Sequence, residues 1–298
     1  MTRSLKGVFA AALTPRRPGK DQIDLAGAYA LIDYLCSAGV DGLVLLGSTG
    51  EFVHFSLEER LRFAALAIRR SRVPVIVNCT HSTTDGTLEL ARSAAAAGAA
   101  AVLVMPPYFF RYDLPELETF FCAVSAEVRD RAPCLLYNIP VFTNRLPLEL
   151  AIQLVREGLF AGIKDSGGDL FYFTRFRAAC PEAIFFAGQD VLYHQLKPQG
   201  ACGVVSGLAN ATPELLLALD RALSSGDQAK ADRLALRVRE LAEQVDQFPI
   251  PAAIREAALI RQVTAGPHAV HLDEAKRQRF AHWFRAWLPE MLRDCAGA

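Results

Sequence analysis

The stretch FAGIKDSGGD, residues 160–169, has the pattern of a buried strand that ends in a glycine-rich turn. Its first four residues are apolar or small, yet the strand carries Lys164, one of only six Lys among 32 basic residues. Arg keeps its proton in proteins, whereas a desolvated Lys can lose one and become a nucleophilic amine. The stretch therefore predicts a buried strand with a candidate reactive side chain near its end.

The same alternation of a short apolar run and a helical stretch continues on both sides of this segment. Strands are predicted at residues 7–13, 42–47, 74–79, 100–106, 133–139, 160–165, 183–189 and 201–207. Such alternation is typical of a parallel sheet with helical crossovers. Eight units favour an α/β fold of the (β/α)8 TIM barrel type, because a doubly wound sheet usually has fewer strands and a Gly-rich fingerprint after the first.

The strand signals cease after Ala211, and the rest of the chain has helical patterns without a linker or low-complexity tract. We therefore predict a catalytic barrel over residues 1–224 and a C-terminal helical extension over residues 225–298.

Two helices carry clear boundary signals. Residues 25–39 place apolar side chains at helical spacing, with Gly39 as the stop signal. Ser56 is a predicted N-cap for the next helix, and Glu59 stands where it would complete a capping box.

The amino-acid composition indicates which partners and which cellular compartment to expect. A hydrophobic content of 52% with 21% charged residues supplies a large core, and the formal net charge of zero makes nucleic acid and anionic membranes poor partners. Seven Cys without a C-x-x-C pair indicate reduced thiols and a cytoplasmic location. The run GVFAAAL resembles a short signal peptide, but no convincing cleavage site follows, so a first strand is the preferred interpretation. No segment is long and apolar enough to span a bilayer.

Polar residues stand at the carboxyl ends of six predicted strands, where barrel enzymes carry their chemistry. They are residues 47–51 after strand two, 107–108 after strand four, 137–138 in strand five, 164–166 in strand six, 188–190 in strand seven and Ser206 in strand eight.

Each of these features also has a purely structural interpretation. The sequence GSTGE (47–51) could be a turn that caps a helix, and Tyr137 could be a core aromatic whose hydroxyl binds a carbonyl group. Lys164 could extend to solvent or pair with Asp165, although adjacent strand residues point to opposite faces. His81 follows strand three, where a histidine is more often a hydrogen-bonding loop residue than a catalyst.

Taken together, the groups indicate Schiff-base chemistry on a 2-oxo acid. Lys164 supplies an amine with apolar walls, Tyr137 supplies a phenol one strand away, and the GSTGE turn supplies hydroxyl and amide groups for a carboxylate. The six His show no metal-ligand spacing, so no metal and no other cofactor is predicted.

Three motifs in this order, GSTGE (47–51), YNIP (137–140) and GIKDSGGD (162–169), resemble the dihydrodipicolinate synthase / N-acetylneuraminate lyase family of class I pyruvate-dependent aldolases. The resemblance extends over almost the whole chain. It implies a (β/α)8 barrel with extra C-terminal helices and a homotetramer, built as a dimer of dimers.

The resemblance also implies roles for individual residues. Lys164 would form the Schiff base with pyruvate, and Tyr137 would transfer protons. Ser48 and Thr49 would hold the pyruvate carboxylate, with Ser48 also relaying protons, and the backbone carbonyl of Val205 would face the Schiff base.

Two positions depart from the pattern of the synthases. An Arg that grips the carboxylate of aspartate semialdehyde usually stands two residues after the YNxP proline, where this chain has Phe142, and Arg145 follows three residues later. A second Tyr, which the synthases supply to a neighbouring subunit, is replaced by Phe109 unless Tyr108 or Tyr112 takes its place. Both departures argue against synthase activity, and we treat Tyr108, Phe109, Phe142 and His81 as possible specificity residues.

The sequence thus predicts a lyase that joins pyruvate, or another 2-oxo acid, to an aldehyde, or cleaves the product. A 2-keto-3-deoxy sugar acid or a related hydroxy-oxo acid is the expected substrate type. The alternatives are dihydrodipicolinate synthase, a 2-keto-3-deoxy acid dehydratase, a barrel that holds pyridoxal phosphate on Lys164, and a non-catalytic 2-oxo acid-binding paralogue.

Overall fold

Eight parallel strands pair in chain order, and β1 closes on β8 to form a barrel. The structure, a computed structural model, describes residues 5–296, so residues 1–4 and 297–298 at the ends of the two predicted domains lie outside it. The strands are β1 (Gly7–Ala11), β2 (Gly42–Leu45), β3 (Val75–Asn78), β4 (Ala101–Val104), β5 (Cys134–Asn138), β6 (Gly162–Asp165), β7 (Ile184–Ala187) and β8 (Gly203–Ser206). The predicted TIM barrel is confirmed, and all eight strands are shorter than predicted because the ends of each apolar run belong to loops.

Helices follow the strands and form the outer layer. They are α1 (Leu25–Ala38), α2 (Leu57–Arg70), α3 (Thr84–Ala96), α4 (Leu114–Val128), α5 (Leu148–Arg156), α6 (Leu170–Ala179), α7 (Tyr193–Leu196), α8 (Pro213–Ser225), α9 (Gln228–Val245), α10 (Ala252–Ile260) and α11 (Glu274–Ala296). Among the described residues, no helix is both long enough and apolar enough to cross a membrane.

The predicted boundary signals are correct except for one side chain. Gly39 ends α1 with a left-handed φ of 89°, and Ser56 Oγ accepts a hydrogen bond from the Glu59 amide at 3.2 Å. The predicted capping box is wrong, because the Glu59 carboxylate accepts from the backbone amide of Ile23 at 3.1 Å instead. A loop from elsewhere in the chain thus offers the carboxylate a donor that local sequence cannot reveal.

The barrel closes where two glycines let strands approach. A Cβ on Gly203 of β8 would lie 2.0 Å from the carbonyl oxygen of Gly7 on β1, so no larger residue fits there. Inside the barrel the rings of Phe9 and Phe186 pack edge to face at 4.9 Å. The strands are almost entirely buried, which fixes the positions of the side chains at their carboxyl ends.

The C-terminal helices pack back onto the barrel. Helices α9 and α11 contact α8, and α10 contacts the short 3-10 helix that follows β8. This arrangement brings α10 and the end of α9 to the carboxyl face of the strands. The division into two domains at residue 224 stays a prediction, although α8 ends close to it, at Ser225.

Candidate active site

Lys164 lies on β6 with Tyr137 of β5 as its register partner. Its side chain is only 4% exposed, and its Nζ lies 4.1 Å from the centre of the Tyr137 ring. Within residues 5–296 Lys164 forms no ion pair with a carboxylate, and it does not extend to solvent. The two structural interpretations of this residue, pairing with Asp165 and extension to solvent, are therefore not observed.

Asp165 points away from Lys164 and ties the ends of β5 and β6 together. Its Oδ1 accepts hydrogen bonds from Asn138 Nδ2 at 2.7 Å and from the Gly167 amide at 3.1 Å. Burial raises the pKa of Asp165, and these hydrogen bonds partly oppose that rise. Because side chains alternate along a strand, this outward bonding directs Lys164 into the barrel.

The phenol of Tyr137 faces the loop after β2. Its hydroxyl lies 3.3 Å from Ser48 Oγ, a distance at which either oxygen can donate. Thr49 and Val205 of β8 are buried and line the same cavity. The five residues predicted for catalysis and substrate binding all line one cavity of about 170 Å³ at the carboxyl end of the strands. Their roles remain predictions, but the fold brings the amine, the phenol and the two hydroxyl groups to one place.

The predicted specificity residues lie in different environments. Phe142 lines this cavity and a second one beside it, and Tyr108 lines the second cavity. Phe109 is 87% exposed and has a left-handed φ of 86°. His81 is not among the residues that line either cavity. Its Nδ1 bonds with Thr83 Oγ1 at 3.0 Å, and burial together with the nearby charge of Arg60 lowers its pKa.

Among the described residues, no arginine lines either of the cavities that Phe142 borders. Arg145 is exposed and pairs with Asp169 at 2.8 Å on the surface. Neither Arg145 nor Tyr112 is among the described residues that line the two cavities, and none of those residues is an Arg. The site therefore presents the apolar ring of Phe142 at this wall.

Sequence reasoning assigned no role to two acidic residues of the cavity wall, Asp190 and Asp246. Asp190 lines it with a buried Oδ1 that has no hydrogen-bond partner among the described residues. Burial raises the pKa of Asp190 to about 6, while the Ser206 hydroxyl and the charge of Lys164 act in the opposite direction. The polar residues 188–190 at the end of predicted strand seven were the sequence signal for Asp190. Nothing in the sequence indicated Asp246, which comes from the end of α9.

Comparison with known proteins agrees with this geometry. A sequence model of the dihydrodipicolinate synthetase family matches residues 4–282. The chain belongs to this family. A 4-hydroxy-tetrahydrodipicolinate synthase of Methanosphaerula palustris is 31% identical over 284 residues, which are 93% of this chain and 96% of the relative.

Solved structures of family members have the same fold. The prophage protein YagE of E. coli K12, described as belonging to the dihydrodipicolinic acid synthase family and solved with pyruvate, is 28% identical with a TM-score of 0.88 over 95% of this chain and 99% of its own. A sialic acid aldolase of Ruminococcus gnavus has a TM-score of 0.87 over 98% of this chain and 100% of its own, and at 23% identity it shows the fold alone. As a family member, the chain is a Schiff-base-forming lyase of the class I pyruvate-dependent type.

Proposed function

We propose that Lys164 of this lyase forms the Schiff base with pyruvate and that the resulting enamine adds to an aldehyde, or is released from one. The observation that carries the proposal is the position of Lys164 Nζ, which lies 4.1 Å from the centre of the Tyr137 ring, with both residues lining one cavity. The amine attacks C2 of pyruvate, water leaves, and loss of a C3 proton gives the enamine. Tyr137 and Ser48 transfer the protons, and Thr49 helps to hold the carboxylate.

A relative supports pyruvate as the 2-oxo acid. The E. coli K12 protein YagE was solved in complex with pyruvate and shares 28% identity and the fold. The cavity of this chain, at about 170 Å³, has room for a three-carbon acid next to Lys164. In this proposal Val205 supplies a backbone carbonyl that faces the imine.

We place the enzyme in the cytoplasm as a homotetramer. The free state of all seven Cys, each within the described residues, supports a reducing compartment. The exposed rings of Phe109 and Phe110, which contact each other at 4.9 Å, support burial of this loop against a second subunit.

Borohydride reduction in the presence of pyruvate tests the Schiff base. We expect a reduced pyruvate adduct on Lys164, found by peptide mass mapping, and no adduct in Lys164→Arg, because a guanidinium does not form the imine. Lys197→Arg is the matched control and should keep the adduct, since Lys197 pairs with Asp220 outside the cavity. A folded protein without an adduct on Lys164 would overturn the proposal.

Synthase activity on aspartate semialdehyde is the second candidate, favoured by the name of the relative from Methanosphaerula palustris. Phe142 opposes it, because none of the described residues that line the cavity is an Arg that could hold a second carboxylate. A coupled assay with pyruvate and aspartate semialdehyde compares the two candidates directly. Turnover comparable to that with any other aldehyde would favour the synthase.

A further inference from the structure

A second cavity adjoins the one that holds Lys164. It has a volume of about 250 Å³ and shares four wall residues with the first, namely Ser48, Ile139, Phe142 and Ile250. Ser48 Oγ lies 3.3 Å from the Tyr137 hydroxyl, so the junction of the two cavities lies beside the proposed proton-transfer pair. A substrate attached to the enamine could extend from the first cavity into the second.

The inner wall of this second cavity is apolar and held in place. The rings of Phe52 and Tyr108 meet edge to face at 5.6 Å, and Met105 is buried beside them. The guanidinium of Arg60 packs on Phe52 at 4.8 Å from the ring centre, but Arg60 is not among the residues that line the cavity. The inner wall is therefore an aromatic surface that is supported by packing from behind.

The described lining of the second cavity has no Lys or Arg side chain to offer to a charged substrate. Its carboxylate, Glu51, pairs with Arg255 and lies 3.4 Å from Arg16, so its charge is already compensated. His54 is exposed. No Lys or Arg is among the described residues that line the cavity. A second carboxylate or a polyhydroxyl chain would be poorly solvated there.

We propose that this cavity is the subsite for an apolar, preferably aromatic, group on the aldehyde partner. The inference rests on the proposed function and names its substrate class. An apolar cavity of about 150 Å³ is large enough to bind benzene, so the larger volume here admits a substituted phenyl ring. The cavity thus selects for an aromatic aldehyde over an acidic or sugar-derived one.

The chemical step uses the proposed machinery without a further reactant. The nucleophilic carbon of the enamine attacks the aldehyde carbon, one C–C bond forms, and the carbonyl π electrons move to oxygen. That oxygen takes a proton through Tyr137. Water then hydrolyses the imine, which releases a 4-hydroxy-2-oxo acid with an aryl group and returns the free amine of Lys164.

Three aldehydes test the subsite in the full-length protein: benzaldehyde, glyceraldehyde and succinic semialdehyde, each with pyruvate. We expect kcat/KM for benzaldehyde to exceed that for the other two by about tenfold or more, within the range that an apolar pocket achieves. Exchange of the pyruvate methyl protons in deuterated water is measured in parallel and reports enamine formation without an aldehyde. Loss of exchange would refute the proposed function, whereas normal exchange with an equal or better rate for either polar aldehyde would refute the subsite.

Two variants test whether the second cavity is the source of the preference for benzaldehyde. Val53→Asp places a charge on an exposed position at the edge of the second cavity, and we expect it to lower kcat/KM for benzaldehyde at least fivefold with normal methyl exchange. Leu236→Asp, an equally exposed position on α9 that lines neither cavity, is the matched control. Phe142→Arg should raise the relative rate with succinic semialdehyde. A benzaldehyde preference that neither variant changes would show that the ring binds elsewhere.

Discussion

The hydroxyl oxygen of Tyr137 lies 3.3 Å from Ser48 Oγ, and a variant that lacks this one atom tests its role in the site. Tyr137→Phe removes the phenol but keeps the ring against Lys164, so the amine keeps its apolar contact. We expect kcat to fall by about 10²- to 10⁴-fold, the usual effect of losing a general acid–base group, with the borohydride adduct still formed at long incubation. Tyr34→Phe is the matched control, since its buried hydroxyl has no hydrogen-bond partner within residues 5–296. Equal turnover in both variants would contradict the role of Tyr137.

Asp190 makes the stability of the folded protein depend on pH. Burial raises its pKa to about 6 from 3.8, so the folded protein binds this proton more tightly than the unfolded chain. Ionisation therefore costs stability above the folded pKa, and the cost disappears as the pH falls from about 6 to below 3.8. We expect Asp190→Asn to be more stable than the wild type at about pH 8, by about 1–3 kcal/mol, with a smaller difference near pH 4.

Urea unfolding of the two proteins across this pH range measures the difference. Asp130→Asn, at an exposed position, controls for the general loss of one negative charge. If the difference in the free energy of unfolding between Asp190→Asn and the wild type stays constant with pH, the pKa of Asp190 is not raised in the folded protein.

Individual residues differ in how far sequence alone could predict them. Lys164 and Tyr137 stand out because a basic residue and a phenol interrupt apolar strands, and strand alternation then directs both to one face. Asp190 carried a weaker signal, because an acidic residue after a strand is common in loops. Asp246 carried none, since only the path of α9 brings it to the cavity.

At the scale of elements, a buried ion cluster joins the GSTGE turn to the C-terminal extension. Glu51 has a left-handed φ of 50°, and its carboxylate pairs with Arg255 of α10 and with Arg16, which follows β1. Helix α10 also contributes Ile254 to the wall of the first cavity. The cluster therefore fixes the turn that carries Ser48 relative to the helix that closes the site.

Arg255→Met should destabilise the protein by about 3–5 kcal/mol, because it leaves the buried carboxylate of Glu51 without its main partner. The double variant with Glu51→Gln should lose less than the sum of the single variants, because neither charge is then left alone. Urea unfolding measures all three. Arg92→Met, which breaks the surface pair with Glu127, is the matched control and should have no comparable effect. If the stability lost in the double variant equals the sum of the two single losses, Glu51 and Arg255 are not coupled.

Sequence signals placed most elements correctly because strands and caps depend on local patterns. Gly39 and Ser56 end and begin helices as predicted, since one glycine conformation and one hydroxyl suffice for these tasks. Glu59 could not be predicted, because its partner Ile23 is a neighbour only in the folded barrel. The same limit applies to the extension, whose helices were predicted but whose contribution to the cavity was not.

At the scale of the whole molecule, the loop after β4 is the feature that the barrel does not explain. Phe109 is 87% exposed, its backbone is in the left-handed region at φ 86°, and Phe110 packs against it. A bulky residue in this conformation costs about 1–3 kcal/mol, so contacts must compensate for it. In the proposed homotetramer a neighbouring subunit supplies them.

Phe109→Asp should weaken this assembly. A buried aromatic at the centre of an interface contributes at least about 2 kcal/mol, so we expect the dissociation constant between subunits to rise about 30-fold or more. Sedimentation velocity over a range of protein concentrations measures the shift towards smaller species. Leu236→Asp, on an exposed face of α9, controls for the added charge and should leave the distribution unchanged. If Phe109→Asp and the wild type sediment alike at every concentration, this loop lies outside the contact between subunits.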